Sequence, residues 1–549
     1  MTQVELDNKK SGGVEQPPTS TKEKPHLKRE LGLVSLVALG VGGVIGSGVF
    51  GLPAIMGSVA GPSFILAVML VGLIATLLAI IYAELGSAFP TSGGPYSIPR
   101  LALGDGAGFV IGWGYFLYAF IGTAAIIDIF VTYLGFYVPG LSIGETLTPL
   151  GIGIAVAALW AFTLINFFEI KWGGLFGIVT TIGKILPLAI FAIVGITLLR
   201  PGNFSPFLTF GWSGVSLAMA FEFWAFTGFE AVVIPSEEVK NPSKTIPRAM
   251  LITMGIVIAT YVAISIAFTG LINWSGLGIT PGNWAAIGNL SSPLADVAQG
   301  AGLAILAAVI TIGAIFSTAG AGGDWVLFQA RIPYAMARDG LFWSAMGKVH
   351  KKYGTPFVAL IFASVLTMAI QILIPSFPSV ALLASITTLI PYAAAAVSLP
   401  ILRKTQPTTP RPFKLPFGTV LAALGFVLAS LLIYWASWPW TLVGGILTLV
   451  AFPMFLFVRN HKLELSRHLW LLVYVAGLVV ISLLGSTNFV LDNFLPIGPQ
   501  GILNTPYDAI VVTIFSLGIF IWAYYSNVRA KPAAASQGVA PAMLPEAQK

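Results

Sequence analysis

Long uncharged stretches limit the fold of this chain more than any other feature. Between Glu30 and Glu84 there is no Asp, Glu, Lys, Arg or His, and comparable stretches recur as far as residue 526. A helix needs about 20 apolar residues to cross the hydrocarbon core, where backbone polar groups must be bonded within the protein. Only 9% of the residues are charged, against roughly 25% in soluble domains. The chain is therefore predicted to be an all-α polytopic membrane protein, and a soluble fold is excluded.

The apolar stretches, divided at polar and turn-forming residues, predict fourteen transmembrane helices. These spans cover residues 31–56, 63–89, 107–137, 148–168, 175–199, 212–235, 249–272, 302–328, 357–375, 379–402, 418–436, 441–458, 469–485 and 507–526. An even number of crossings places both termini on one side of the membrane.

The basic residues predict which side that is, because cytoplasmic loops carry an excess of Lys and Arg. Of the 28 basic residues, 26 fall on the side of the termini, and only Lys184 and Arg200 do not. We therefore expect a multi-pass protein of the cell membrane with disordered cytoplasmic tails at 1–30 and 527–549. The net charge of +7 then reflects orientation in the lipid bilayer, not an affinity for nucleic acid. Since the chain has no cysteine, no disulfide-linked subunit is expected.

Glycines are concentrated in the first predicted span, with six in the twelve residues from Gly40 to Gly51. Such a density should break a helix, and we expect the unwound stretch near Val44 to Gly48. Close helix packing through small residues is the alternative, but five glycines in nine residues exceed what packing needs. Unpaired backbone groups at membrane depth are tolerated only where they face a polar cavity or a ligand.

The sixth span contains a second predicted break, at Thr227 and Gly228. Spans one and six cross in opposite directions, as in an inverted repeat of five plus five helices with broken helices at matching positions. We predict repeats at 31–199 and 212–402, followed by four additional helices at 403–526. Free N–H groups at such breaks hold an anion and free carbonyls hold a cation. The residues alone therefore predict a small zwitterionic or charged solute near the membrane midplane.

Several short motifs occur in a definite order along the chain. They are VIGSGVF at 44–50, YAEL at 82–85, PTSGGPY at 90–96, FTGFE at 226–230, EEVKNP at 237–242, IPR at 246–248, YAMARDG at 334–340 and RPFK at 411–414. Over residues 31–417 this ordered set resembles the amino acid, polyamine and organocation (APC) superfamily of permeases. The resemblance implies a core similar to the bacterial leucine transporter and amino acid transport by alternating access.

The resemblance also implies a substrate site at the two breaks. The residues it assigns to substrate binding are Val44, Gly46, Ser47, Gly48, Trp224, Phe226, Thr227 and Gly228. The substrate carboxylate would lie on N–H groups around Ser47, and the ammonium on carbonyls of Val44, Trp224 and Thr227. Trp224 and Phe226 are candidate gates, with plain packing as the alternative for both aromatic side chains.

A charge inside a span is costly and is a functional hypothesis by default. Lys184 lies ten residues into span five, and its position matches a lysine of many APC permeases whose ammonium resembles a replacement for a bound sodium ion. We expect proton coupling through Lys184, with sodium as the alternative coupling ion and no other cofactor. A permanently charged strut on helix carbonyls or Asp324 is the structural alternative.

Four acids are candidates for side-chain specificity or gating: Asp128, Glu222, Glu230 and Asp324. If Asp128 or Glu222 faces the cavity, it would favour Lys, Arg or a polyamine as substrate. Interhelical pairing with a buried polar group is the alternative. Glu230 and Glu84 lie near the ends of their spans, where gating and loop-pinning are equally open.

Other functions remain as alternatives. An exchanger or a sodium symporter would use the same site, and a channel would use the same polar backbone without alternating closure. The single lysine within a span opposes cation passage through a channel. An enzyme is not expected, because no nucleophile, metal-ligand set or paired catalytic carboxylates can be assembled at membrane depth.

Overall fold

The structure is a computed structural model that describes residues 31–89, 94–168, 173–233, 236, 239–459, 465–485 and 498–529. The predicted N-terminal tail and residues 530–549 of the predicted C-terminal tail lie outside the described residues. Residues 527 and 528, predicted to begin the disordered tail, are instead the end of the last helix. That helix continues because no glycine or proline interrupts it before residue 532.

Seventeen α-helices and one small hairpin make up the described fold. The helices are α1 (Leu33–Val44), α2 (Gly48–Ala60), α3 (Phe64–Ala88), α4 (Gly94–Leu134), α5 (Pro149–Phe167), α6 (Gly173–Thr197), α7 (Gly211–Phe226), α8 (Pro242–Leu271), α9 (Pro293–Gly300), α10 (Ala304–Arg338), α11 (Phe357–Leu373), α12 (Phe377–Thr405), α13 (Gly418–Trp435), α14 (Trp440–Leu449), α15 (Ala451–Arg459), α16 (Leu465–Leu484) and α17 (Tyr507–Val528). Strands β1 (Ser142–Ile143) and β2 (Thr146–Leu147) pair antiparallel.

The described helices are those of a multi-pass membrane protein. Eleven helical segments are long and apolar enough to cross a membrane, of which Gly48–Ala88 combines α2 with α3 and Trp440–Val458 combines α14 with α15. Three shorter apolar helices accompany them, at Leu33–Val44, Gly183–Thr197 and Phe357–Leu373. The predicted all-α membrane fold is therefore confirmed, whereas the count of fourteen crossings stays a prediction.

The predicted end of the eighth span was wrong. The span was expected to end at residue 328, but α10 continues as far as Arg338. The apolar stretch ends near Arg331, but residues such as Ala, Met and Arg still favour helix, so loss of hydropathy does not end the helix. The predicted span at 441–458 corresponds to the helical segment Trp440–Val458, in which α14 and α15 meet at Val450.

Two groups of packed helices surround the first break. The helices α4, α10 and α12 form one group, and α12 is buried along nearly all of its length. The helices α1, α2, α3, α7 and α8 contact one another as a second group, joined by α6, which also contacts α10. The later helices extend the first group, since α13 packs on α12, α17 on α13 and α16 on α17.

The β-hairpin lies at the end of the molecule where α4 ends and α12 begins, which we name the hairpin face. Backbone bonds tie it to the start of α12, from Leu147 N to Pro375 O at 2.8 Å and from Phe377 N to Glu145 O at 3.4 Å. The Ser291 hydroxyl donates to Gly144 O at 2.8 Å. The opposite end, where α1 begins, is named the terminal face.

A buried carboxylate fastens the terminal face. Glu84, 0% exposed at the end of α3, accepts from Arg403 Nε at 2.8 Å and from the backbone N–H of Leu415 at 2.7 Å. Charge-assisted bonds of this kind are among the stronger ones in proteins. Glu84 therefore holds the segment that follows α12, which favours the loop-pinning interpretation over gating.

Candidate functional site

The first predicted span is divided into two helices, α1 and α2, at the position where its glycines predict a break. Helix α1 ends at Val44, Ile45 is extended with ψ 94°, and α2 begins at Gly48. Within the described residues the N–H groups of Gly46 and Ser47 donate to no backbone carbonyl. A Cβ placed on Gly46 would meet no atom within 4 Å. The break therefore presents free donors to open space, as an anion site at a helix N-terminus requires.

A second break follows α7 and faces the first. Thr227 is extended, Gly228 is left-handed with φ 97°, and a 3₁₀ turn covers Phe229–Val232. A Cβ on Gly228 would lie 2.5 Å from the Gly43 carbonyl oxygen, so only glycine fits this conformation at this separation. Gly48 packs equally closely on Ala225. The two breaks are thus in direct contact.

Lys184 of α6 reaches the first break. Its Nζ donates to Gly42 O and to Ile45 O, both at 2.9 Å, and the residue is 4% exposed. The end of α1 leaves these carbonyls without intrahelical donors, and the ammonium supplies them. The hydrogen bonds of Lys184 therefore depend directly on the backbone conformation of the first break.

Tyr261 of α8 binds both breaks. Its hydroxyl lies 3.2 Å from Val44 O and 3.0 Å from Ala225 O. A phenol has one proton to donate, so the two carbonyls share one donor. Tyr261 therefore couples the position of α1 to that of α7.

Three aromatic rings line the site on the side of α4 and α10. Trp224 lies 5.5 Å from Trp325 and 6.1 Å from Tyr118, measured between ring centroids, and Tyr118 lies 4.9 Å from Trp325. The Trp224 indole N–H donates to the Ser47 hydroxyl at 3.3 Å. The Tyr118 hydroxyl is buried and makes no hydrogen bond within 3.5 Å among the described residues, although the Thr227 side chain lies near enough to interact with it. Gly122 makes room for the cluster, since a Cβ there would lie 2.6 Å from both indoles.

Two of the predicted ammonium acceptors already accept a hydrogen bond. Val44 O accepts from Tyr261, and Trp224 O accepts from the Thr227 hydroxyl at 2.7 Å. Trp224 O also accepts from the Thr227 backbone N–H at 3.2 Å, so of these two carbonyls Val44 O is the one with a lone pair left for a further donor. The ring of Phe226 packs on Tyr261 at 5.1 Å and against Gly72 of α3. This position favours packing over gating for Phe226.

The predicted acids are dispersed around the site. Glu222 is 2% exposed and interacts electrostatically with Tyr261. Glu230 accepts a 2.6 Å hydrogen bond from Tyr392 and is buried beyond the second break. Asp324 is exposed on α10 and interacts electrostatically with Lys184, without an ion pair within 4 Å.

Asp128 is separate from the breaks. Its side chain is 0% exposed, and neither oxygen has a hydrogen-bond partner within the described residues. The neighbouring residue Ile129 contacts Gly51 of α2. Asp128 therefore lies one residue from the contact between α4 and α2, above the substrate site on the side of the hairpin face.

Sequence reasoning missed Tyr118, Tyr261 and Trp325. Aromatic side chains in apolar spans are ordinary packing residues, so nothing in the local pattern marks these three. For the two tyrosines one signal was available in the sequence, because the hydroxyl of a tyrosine within a membrane span needs a hydrogen-bond partner there.

The chain is similar to known transport proteins. Residues 31–483 match the family described as amino acid permease. The chain is similar to the branched-chain amino acid permease BcaP of Bacillus subtilis (strain 168), with 30% identity over 81% of this chain and 96% of that protein. It is 29% identical to the aspartate-proton symporter of the same bacterium, over 92% of this chain and 97% of that protein. It is also 29% identical to cationic amino acid transporter 4 of Mus musculus, over 72% of this chain and 63% of that protein.

The family match extends over the two breaks and the helices around them, and it continues as far as α16. The relatives are permeases and transporters, which supports amino acid transport and is consistent with a protein that is not an enzyme. The resemblance drawn from the ordered motifs is confirmed, and the chain belongs to the amino acid permease family of the APC superfamily.

Proposed function

We propose that this protein is a proton-coupled amino acid transporter that works by alternating access. The observation that carries the proposal is the pair of broken helices in contact, with the Lys184 ammonium on two carbonyls of the first break. Because the Lys184 ammonium lies on these two oxygens, no space is left there for a sodium ion. This favours a proton over sodium as the coupling ion.

The substrate backbone fits the two breaks. A carboxylate would accept from the free N–H groups of Gly46 and Ser47, helped by the N-terminal dipole of α2. An α-ammonium would use the second lone pair of Val44 O and the backbone of Thr227. A zwitterion satisfies both ends of the site, whereas an anion or a cation alone satisfies one.

Coupling follows from the hydrogen bonds of Lys184. A neutral amine keeps two N–H donors but loses its charge, and charge-assisted hydrogen bonds are roughly twice as strong as neutral ones, so loss of the proton weakens its bonds to Gly42 O and Ile45 O. These carbonyls belong to the segment that also presents Ser47 to the substrate. Proton release would therefore loosen the first break and allow the substrate to leave.

Uptake of radiolabelled amino acids into proteoliposomes, under an imposed pH or sodium gradient, tests the proposal. We expect a pH gradient to drive uptake and a sodium gradient to have no effect. Lys184→Ala should abolish gradient-driven uptake. The matched control is Lys404→Ala, at the end of α12 and away from the site. Unchanged acidification-driven uptake by Lys184→Ala would refute the proton-coupling role.

The substrate side chain would lie against the aromatic rings. Tyr118, Trp224 and Trp325 form an apolar wall, and the unpartnered Tyr118 hydroxyl offers one polar contact. This wall supports a neutral side chain. Preference for a cationic substrate, predicted from Asp128 and Glu222, stays a prediction, since neither acid is among the side chains that contact the breaks. Competition by leucine and by arginine separates the two.

The membrane arrangement is part of the same proposal. The hairpin face would be external and the terminal face cytoplasmic, as the basic residues predict. Residues 31–199 and 212–402 would be inverted repeats, because each begins with a helix that is broken at its middle. Obligatory exchange and a channel are the competing functions. Single-channel current in a planar bilayer would favour the channel.

A further inference from the structure

We propose that Asp128 is a proton-binding site reached from the hairpin face through Glu145, and that a proton on Asp128 is required to close this face over the substrate. The site is separate from Lys184 and rests on the proposed transport function. It follows from three side chains that carry buried, unpaired polar atoms, Asp128, Glu145 and Gln371, and from a cavity lined by Glu145.

The first observation is the isolation of Asp128. Both carboxyl oxygens are buried without a hydrogen-bond partner within the described residues. Of the helices packed on this part of α4, α2, α5 and α11 contain no Asp, Glu, Lys, Arg or His. Helix α10 also packs there, with Gly322 next to Ile127, but its charged residue nearest to this contact, Asp324, is a second acid and offers Asp128 no positive charge. A carboxylate without a partner at membrane depth is costly, and binding a proton removes its charge.

The second observation is a small cavity beside the hairpin, which Asp128 itself does not line. It has room for about one water molecule and is lined by Gly51, Ile129, Thr132, Glu145, Leu290, Ser291, Pro293 and Phe377. Thr132 lies one helical turn from Asp128 on α4, a spacing that brings the two side chains to the same face. The cavity therefore extends to within one turn of Asp128.

Glu145 supplies the outer end of the path. It lies in the turn of the hairpin, lines the cavity, and has its Oε1 buried without a partner within the described residues. Burial raises the pKa of this carboxyl, so it exchanges protons nearer to neutral pH. A proton from external hydronium would bind Glu145 and pass through water in the cavity to the Asp128 carboxylate, leaving a neutral acid there.

The third observation is Gln371 of α11. Both polar atoms of its amide are buried without a partner within the described residues. The Thr367 hydroxyl lies 3.3 Å from Phe120 O and fixes the register of α11 on α4. Gln371 lies one turn, and Asp128 two turns, from this contact toward the hairpin face. A water molecule bridging the Gln371 amide and the Asp128 carboxyl would supply the partners that both side chains lack.

Other ionisable groups near this face have partners or lie further away. Asp296 accepts from the backbone N–H of Ser292 at 2.8 Å, and Tyr133 donates to Phe50 O at 3.0 Å. Arg200 follows α6 on this side, where its backbone N–H donates to Gly270 O of α8. On α10 the first charged residue is Asp324, which interacts with Lys184 at the first break, and on α12 it is Arg403, at the terminal face. Among the described residues, Glu145 and Asp128 are the acids with buried, unpaired side-chain oxygens.

The charge on Asp128 affects closure through its neighbour. Ile129 and Phe377 close on Gly51, where a Cβ would lie 2.5 Å from Ile129 and 2.6 Å from Phe377. Gly51 is three residues from Gly48 at the start of α2. This closed contact leaves room for only about one water molecule beside it, so the hydration that a charged Asp128 needs opposes closure, whereas a neutral Asp128 permits it.

Homoexchange tests the site, because it needs closure of both faces but no net proton movement. Full-length protein in proteoliposomes would exchange internal radiolabelled leucine for external leucine while the external pH is raised from 5.5 to 8.5. We expect the wild-type rate to fall about tenfold, as expected when the required form of one group is depleted. Asp128→Asn, which resembles the protonated acid, should lose this dependence and exchange at the acid-pH rate throughout. Glu145→Gln should slow the approach to a new rate after a pH jump.

Asp105→Asn is the matched control, since Asp105 is 52% exposed and paired with Arg100 at the terminal face. It should keep the wild-type profile. If Asp128→Asn does not fold, Thr132→Val provides a second variant, which should weaken the pH dependence. The wild-type profile in Asp128→Asn, or a response to sodium at fixed pH that this variant removes, overturns the inference. Substrate-driven proton influx through Lys184 is measured separately, so failure of the proposed function is distinguishable.

Discussion

Gly48→Ala perturbs the contact between the two broken helices most directly. A Cβ at residue 48 would lie 2.6 Å from the Ala225 Cβ and 2.7 Å from its Cα. Non-bonded carbons prefer about 3.5–4.0 Å, so α2 and α7 must separate by about 1 Å. Because the Cα belongs to the backbone, no rotamer change relieves the clash.

The expected magnitude follows from the cost of overpacking, about 1–3 kcal/mol. The strain exists only where α2 and α7 are in contact, and it therefore penalises the closed, substrate-bound arrangement. At 1.4 kcal/mol for each factor of ten, the KM for uptake should rise about 5- to 150-fold. Initial uptake rates of radiolabelled leucine in proteoliposomes, over a range of concentrations, measure this change.

Two other glycines make the comparison informative. Gly255 of α8 has no atom within 4 Å of its Cβ position, so Gly255→Ala should leave KM unchanged. Gly46 is equally free of protein contacts, but its open space is where we place the substrate. Gly46→Ala should raise KM without lowering thermal stability. A wild-type KM in Gly48→Ala would refute the close contact of the breaks as a requirement for transport.

Three further predictions concern single hydrogen-bonding groups. Tyr261→Phe leaves Val44 O and Ala225 O without their shared donor. Because losing a buried hydrogen-bond partner costs about 1–3 kcal/mol, substrate affinity measured by equilibrium binding should fall at least fivefold. An unchanged affinity would contradict this role of Tyr261. Glu84→Gln breaks the buried pair with Arg403, which typically costs about 3–5 kcal/mol; the melting temperature in detergent should drop, while Asp105→Asn should leave it in place. Burial raises the pKa of Asp296 from its ordinary value near 3.8 to about 6, so the native state holds its proton longer than the unfolded state and stability should fall as pH rises from 4 to 6; Asp296→Asn should flatten that part of the melting profile, and a profile as steep as wild type would show that another group is responsible.

The sequence predicts the broken helices well because their cause is local. Glycine density at 40–51 and the left-handed position of Gly228 are properties of the backbone itself, and the breaks occur at these residues. Lys184 could also be singled out, since a charge within an apolar span is rare. The carbonyl groups that Lys184 binds could not be identified from the sequence, because predicted spans do not show how neighbouring helices are aligned.

The remainder depends on contacts between distant segments. Tyr261 lies 217 residues from Val44, and Glu84 lies 319 residues from Arg403; no local pattern contains such pairs. The hairpin that covers Glu145 is only six residues long and carries no turn signature beyond Gly144. The same limit applies to Asp128, because only the packing of the helices shows that its carboxyl oxygens have no hydrogen-bond partner within the described residues.

The most direct test of proton coupling at the broken helices is substrate-driven proton movement, followed with a pH-sensitive dye inside proteoliposomes. Leucine added outside, with no imposed gradient, should acidify the interior of wild-type vesicles and leave the interior of Lys184→Ala vesicles unchanged. The Lys404→Ala control should acidify like wild type. Acidification by Lys184→Ala at the wild-type rate would contradict the account.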